Sequence, residues 1–165
     1  MTRFLRSSNF WLLSRALLVV ISFLIATGVV SAQTARKPAG TEDEPVFQEY
    51  RGVKLGWLAD EVRKKLGNPA NKSDEQDYYL FNDEKERAQI YYDAKTRQVT
   101  AISVDFGSGA SEIITPQQVF GADFAANADG SKSKLVRYPK AGCWVSYSRT
   151  SGASPIISVT IQKMP

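Results

Sequence analysis

Hydrophobic and polar positions alternate most clearly over residues 99–106. There Ile102, Val104 and Phe106 share one side of an extended chain and Ala101, Ser103 and Asp105 the other. A period of two predicts a half-buried antiparallel strand. Shorter β-like runs precede it at 78–81 and 88–92, and the polar stretch from Asp93 to Gln98 predicts a hairpin loop joining the second run to the third. Upstream the period changes. Leu58, Val62 and Leu66 recur every four residues, as on one face of a short helix that Gly67 and Pro69 then stop.

The same order returns further along. Thr115 is placed as an N-cap, Pro116 lies in the first turn, Gln118 completes a capping box and Gly121 ends the helix. Three β-like runs follow at 133–138, 142–149 and 156–163, each aligning with its counterpart at an offset of 55 positions. Ile157-Ser158-Val159 repeats Ile102-Ser103-Val104, while Tyr147 answers Tyr92, Val145 answers Ile90 and Leu135 answers Leu80. The expectation is an α+β fold of tandem helix-plus-three-strand units, 46–108 and 109–165, forming one antiparallel sheet with the helices on one face.

Ahead of this domain the pattern belongs to export. Arg3, Arg6 and Arg15 make a positive start with no acid before Glu42, Ala16 to Val30 is apolar, and Val30-Ser31-Ala32 places small residues at a cleavage site. Residues 1–32 are therefore expected to be a signal peptide cleaved after Ala32. The competing reading, an uncleaved anchor, is opposed by Ser14 and Arg15, which interrupt the apolar run. Residues 33–45 mix Pro, Gly, Ala and charge and are expected to form a disordered linker. The mature protein is expected in the periplasm or outside the cell, without a stable membrane anchor once the signal is removed.

That processing alters the charge argument. The whole chain has 21 basic and 17 acidic residues, and loss of the signal's arginines leaves 18 against 17, which offers no case for nucleic acid. Cys143 is the sole cysteine, so no intrachain disulfide is possible, and it sits in an apolar run as a small hydrophobe. There is no histidine. Ser-His and Cys-His nucleophiles and most zinc sites are thereby closed. No phosphate-binding glycine pattern is present, and the acids at 74–77 and 83–86 read as charged turns without the spacing of a calcium loop. No cofactor, metal or catalytic residue is expected.

The stretch Gly52-Val53-Lys54-Leu55-Gly56, then Glu61-Val62 and Leu66-Gly67-Asn68-Pro69, resembles the opening of the SmpA/OmlA family of small outer-membrane assembly lipoproteins. The resemblance covers Arg51 to Phe106 and the second half more loosely. The duplicated order is similar to the β-lactamase inhibitor protein fold, and what this likeness implies is two units sharing a sheet that grips a partner protein. Leu58 stands where the family has a hydroxyl residue, and no cysteine follows the signal to carry a lipid.

Strand alternation combined with the aromatic positions selects a candidate site. If Leu80, Ile90, Ile102, Val104, Leu135, Val145, Tyr147, Val159 and Ile161 face the helices, then Tyr79, Tyr91, Ser103, Asp105, Lys134, Trp144, Ser146, Thr160 and Gln162 face away. Aromatic anchors in a polar surround suit a protein interface. Tyr79, Tyr91, Trp144, Lys134 and Asp105 are the expected partner-binding residues, of a non-enzymatic module whose partner is an extracytoplasmic protein. Two other readings stay open: a cell-wall-glycan or small-ligand binder in which the rings stack on sugars, and a histidine-free carboxylate enzyme.

Overall fold

The computed structural model describes residues 43–110 and 112–165. The expected signal peptide (1–32) and most of the expected linker (33–42) lie outside the described residues. Of that linker, Asp43 forms an ion pair with Lys140 at 2.7 Å, and Pro45 is buried and accepts a hydrogen bond from the Gln48 side chain.

The chain forms a short hairpin, β1 (Glu49–Tyr50) and β2 (Val53–Lys54), then α1 (Ala59–Leu66). Next come β3 (Asn71–Lys72), β4 (Gln76–Phe81), β5 (Glu86–Tyr92) and β6 (Val99–Phe106). After α2 (Pro116–Phe120) follow β7 (Lys132–Tyr138), β8 (Cys143–Arg149) and β9 (Ile157–Lys163). One seven-stranded antiparallel sheet has the order β3-β4-β5-β6-β9-β8-β7, and β1 and β2 make a separate two-stranded sheet.

This overturns the expected tandem helix-plus-three-strand units. The described fold is mostly sheet, 41% strand against 11% helix, with only two short helices. The capping signals do mark a helix at Thr115, whose Oγ1 accepts from the Gln118 N–H, but Gly121 at φ +78° ends it after five residues. Caps say where a helix begins and stops; they do not supply the length that would make it a layer. The cover over the sheet is instead shared by the β1–β2 hairpin, α1, α2 and the chain around Phe124.

The core lies between that cover and one face of the sheet. Ile90, Ile102, Val104, Val145 and Val159 are fully buried there, against Val53, Val62 and Val119 from the cover. The central pairing of β6 with β9 sets Ile102 opposite Ile161 and Val104 opposite Val159, so the apolar rows continue across the middle of the sheet, one ending at Asp77 on β4 and the other at Lys134 on β7. Backbone bonds tie the cover down: Gly56 donates to Val99, Val99 to Trp57 and Ala59 to Arg97, at 2.8, 2.8 and 3.0 Å. The buried stripe of α1 starts at Ala59 rather than Leu58. Leu58 is the N-cap, with its side chain 47% exposed, and its N–H is held by Glu61.

Candidate functional site

Directly opposed residues of antiparallel strands point to the same side, so the registers write out both faces of the sheet. On the side away from the cover, one row reads Gln76, Tyr91, Ala101, Gln162, Trp144, Arg137 from β4 to β7. The next reads Tyr78, Gln89, Ser103, Thr160, Ser146, Leu135, and the third Leu80, Arg87, Asp105, Ser158, Ser148, Ser133. With strands about 4.8 Å apart the face is roughly 25 Å wide.

Three of the five expected site residues stand on it. Tyr91 and Trp144 lie in one row, separated by Ala101 and Gln162, and Asp105 accepts a hydrogen bond from the Ser158 hydroxyl across the β6–β9 seam. Tyr79 and Lys134 do not belong to this face. Tyr79 is 2% exposed, stacked on Phe81 at 5.9 Å, and lies opposite Ala88, whose small side chain leaves room for the ring. Burial pushes the Tyr79 hydroxyl pKa up to about 12. Lys134 lies opposite Tyr147 on the covered side, its Nζ 5.2 Å from the Phe120 ring centre and 5.6 Å from that of Phe124. A slip of one residue moves a whole strand to the other side. Leu80 and Leu135 accordingly face outward with Tyr78, Leu135 being 53% exposed.

Sequence reasoning missed Tyr78 because both members of the Tyr78-Tyr79 pair look alike. The available signal was Asp77, a carboxylate two positions from Tyr79 and so on its side, which Arg63 of α1 draws to the covered face. The corrected set is Tyr78, Tyr91 and Trp144, all half-buried, in a field of Ser, Thr and Gln. Tyr78 and Tyr91 are diagonal neighbours on β4 and β5, a spacing within reach of ring contact. Tyr91 donates to the Gln89 side chain, and the Ser103 and Thr160 hydroxyls share a hydrogen bond of 2.9 Å. Between them an open depression of about 500 Å³ is lined by Tyr91, Thr100, Ala101, Ser103, Thr160 and Gln162. Small side chains on β6 and β9 make its floor.

The buried carboxylates lie on the opposite side of the sheet and are fully engaged. Asp77 is bound by Arg63 through Nε at 2.8 Å and Nη2 at 2.9 Å, and by Tyr92 Oη at 2.8 Å. Glu86 takes Arg51 Nη2 at 2.8 Å and Tyr50 Oη at 2.5 Å, with Asn82 as a further donor. Burial raises the pKa of Tyr50 and Tyr92, which also donate to these anions. Asp77 pairs with Ile90 and Glu86 with Phe81, so the acids are four residues apart along the ladder, roughly 13 Å. They do not converge on one reacting atom. Among the described residues no buried side-chain polar atom lacks a partner, and no group of three or more His, Cys, Asp or Glu is placed to hold a metal. Cys143 is buried, which raises its thiol pKa. No helix among the described residues is long and apolar enough to cross a membrane.

No protein-family model, curated protein or solved structure matches the chain.

Proposed function

We propose that this chain is a non-enzymatic interaction module, exported to the cell envelope or beyond, that binds a partner protein through the open face of its sheet. The observation that supports this reading is the placing of Tyr78, Tyr91 and Trp144 as half-exposed rings among uncharged Ser, Thr and Gln side chains. Rings of this kind bury large area at small entropic cost, and neighbouring hydroxyls and amides adapt to a partner's polar groups. Charge lies at the margins of the face, at Arg87 and Asp105, at Arg137, and at Glu75 on the rim of the depression, so the middle row can be desolvated without stranding an ion. The buried acids support the same reading, since Arg63, Arg51 and Tyr50 occupy them in fastening the cover to the sheet. The export pattern of the first 32 residues and the SmpA/OmlA-like stretch agree with an envelope setting.

A second reading, binding of a glycan or another small ligand, is favoured by one observation, the depression beside Tyr91. The two readings separate in one experiment. The full chain, processed as its host processes it, is used to capture partners from envelope extract beside a Tyr78→Ala/Tyr91→Ala/Trp144→Ala variant with an unchanged unfolding midpoint. A protein retained by the parent and lost by the variant supports the proposal. Equal capture by both overturns it, and saturable binding of soluble glycan fragments lost in Tyr91→Ala alone favours the second reading.

A further inference from the structure

The sheet has a second surface, its free edge, which is independent of the open-face reading. Strand β7 is the last in the order and, among the described residues, pairs only with β8. Which of its backbone groups point outward follows from the neighbouring ladder. Thr150 N–H donates to Ile156 and Met164 N–H to Gly142, at 3.0 and 2.8 Å, so at both ends of the β8–β9 ladder the even-numbered residues of β8 bond toward β9. Along a strand the bonding side alternates with each residue. Cys143, Val145, Tyr147 and Arg149 therefore bond toward β7, where they face Tyr138, Val136, Lys134 and Lys132. The N–H and C=O groups of Ser133, Leu135 and Arg137 are left pointing away from the sheet, and no described residue bonds to them.

Around these groups the side chains carry one sign of charge. Lys132, Lys134 and Arg137 are the charged residues of β7, with no acid among them, and among the described residues only Lys132 finds an ion-pair partner, Asp123 at 2.8 Å. Leu135, 53% exposed, lies between Lys134 and Arg137. A second copy of β7 laid antiparallel on this edge, Leu135 against Leu135, would make the two Lys134 diagonal neighbours and gather the cations of both strands with no acid to answer them. An acidic strand meets the opposite condition. We propose that the free edge of β7 takes an extended acidic segment of a partner protein as an added strand. Ser133, Leu135 and Arg137 supply its backbone hydrogen bonds, its acids lie opposite Lys134 and Arg137, and an apolar side chain covers Leu135. This is a different surface from the open face, and either can stand without the other.

The probe is a blocked peptide with the core Glu-Val-Val-Glu-Thr-Glu, whose order sets glutamates against Arg137, Lys134 and Lys132 when it runs antiparallel to β7. It is titrated into the isotope-labelled full chain at low salt, with amide hydrogen exchange read by NMR. The expected result is saturable binding that slows exchange at the Ser133, Leu135 and Arg137 amides by about tenfold or more. Leu135→Pro removes an outward N–H and no ladder bond, a substitution that edge strands accept. It should leave the fold intact and weaken the peptide by about tenfold or more, as should Lys134→Glu/Arg137→Glu; Ser133→Pro serves the same purpose should Leu135→Pro unfold. The proposal is overturned if the peptide does not bind, if those amides exchange unchanged while it is bound, or if a folded proline variant binds as well as the parent. In the first case the cations serve only to keep sheet edges apart.

Discussion

Asp77 has no solvent exposure, and its charge is balanced by Arg63, itself only 15% exposed, together with the Tyr92 hydroxyl. Removing one partner of such a pair strands the other, at a cost on the order of 3–5 kcal/mol. Arg63→Ala is expected to destabilise the fold by that amount in denaturant titration, whereas Arg63→Met with Asp77→Val should recover most of the loss. Glu86 is the second such acid. Burial works against its ionised form, but hydrogen bonds from Arg51 and Tyr50 outweigh it and hold its pKa below the ordinary 4.5. An acid depressed in the folded state contributes stability that is complete above its unfolded value and is lost as pH falls through the folded one. The unfolding midpoint of the parent should therefore decline on acidification below about pH 4.5, and that of Glu86→Gln should decline less steeply over the same range. Equal slopes would show that the Arg51, Tyr50 and Asn82 cluster does not discriminate between charged and neutral Glu86.

At the scale of elements, the strands were legible where alternation was strong and uniform. β6, β8 and β9 bury Ile102, Val104, Val145, Tyr147, Val159 and Ile161 as their patterns require. β4 and β7 were not legible in orientation. In β4 the run Tyr78-Tyr79-Leu80-Phe81 is apolar on both sides, and the side is chosen by an ion pair to a helix 14 residues earlier, which no local period reports. In β7 the side is chosen by Tyr138, buried in the core, and Val136, packed against it, and Lys134 follows them to lie over Phe120 and Phe124. Leu80 and Leu135, 55 positions apart, both point outward, so for each of them hydrophobicity chose the wrong face. This yields a paired test. Tyr79→Ala should cost about 3–5 kcal/mol as a buried aromatic truncation, Leu135→Ser should stay within about 0.5 kcal/mol of the parent, as surface changes do, and Leu80→Ser, at a half-buried position, should cost clearly less than Tyr79→Ala. The reverse ranking in thermal or denaturant unfolding would return β4 and β7 to the opposite orientation.

For the molecule as a whole, the sheet separates two tasks. One face is fixed to its cover by apolar rows and two buried acids, so the other does not need its own side chains to hold the sheet in place. That freedom is what allows Ser, Thr, Gln and half-exposed rings to occupy the centre of the open face. The sequence pointed to this face and to Tyr91, Trp144 and Asp105 upon it, but the expected helix layer was replaced by a mixed cover of hairpin, short helices and loop. The most direct test of the open face as a protein-binding surface is site-specific photo-crosslinking in the intact host envelope. One photoreactive residue replaces Ser146, in the middle row of the face, and in a parallel chain another replaces Lys64 on the exposed side of α1. A discrete protein adduct from position 146 that is absent from position 64 is the predicted result. The same adducts from both positions, or none from position 146 while the protein is present and folded, would contradict it.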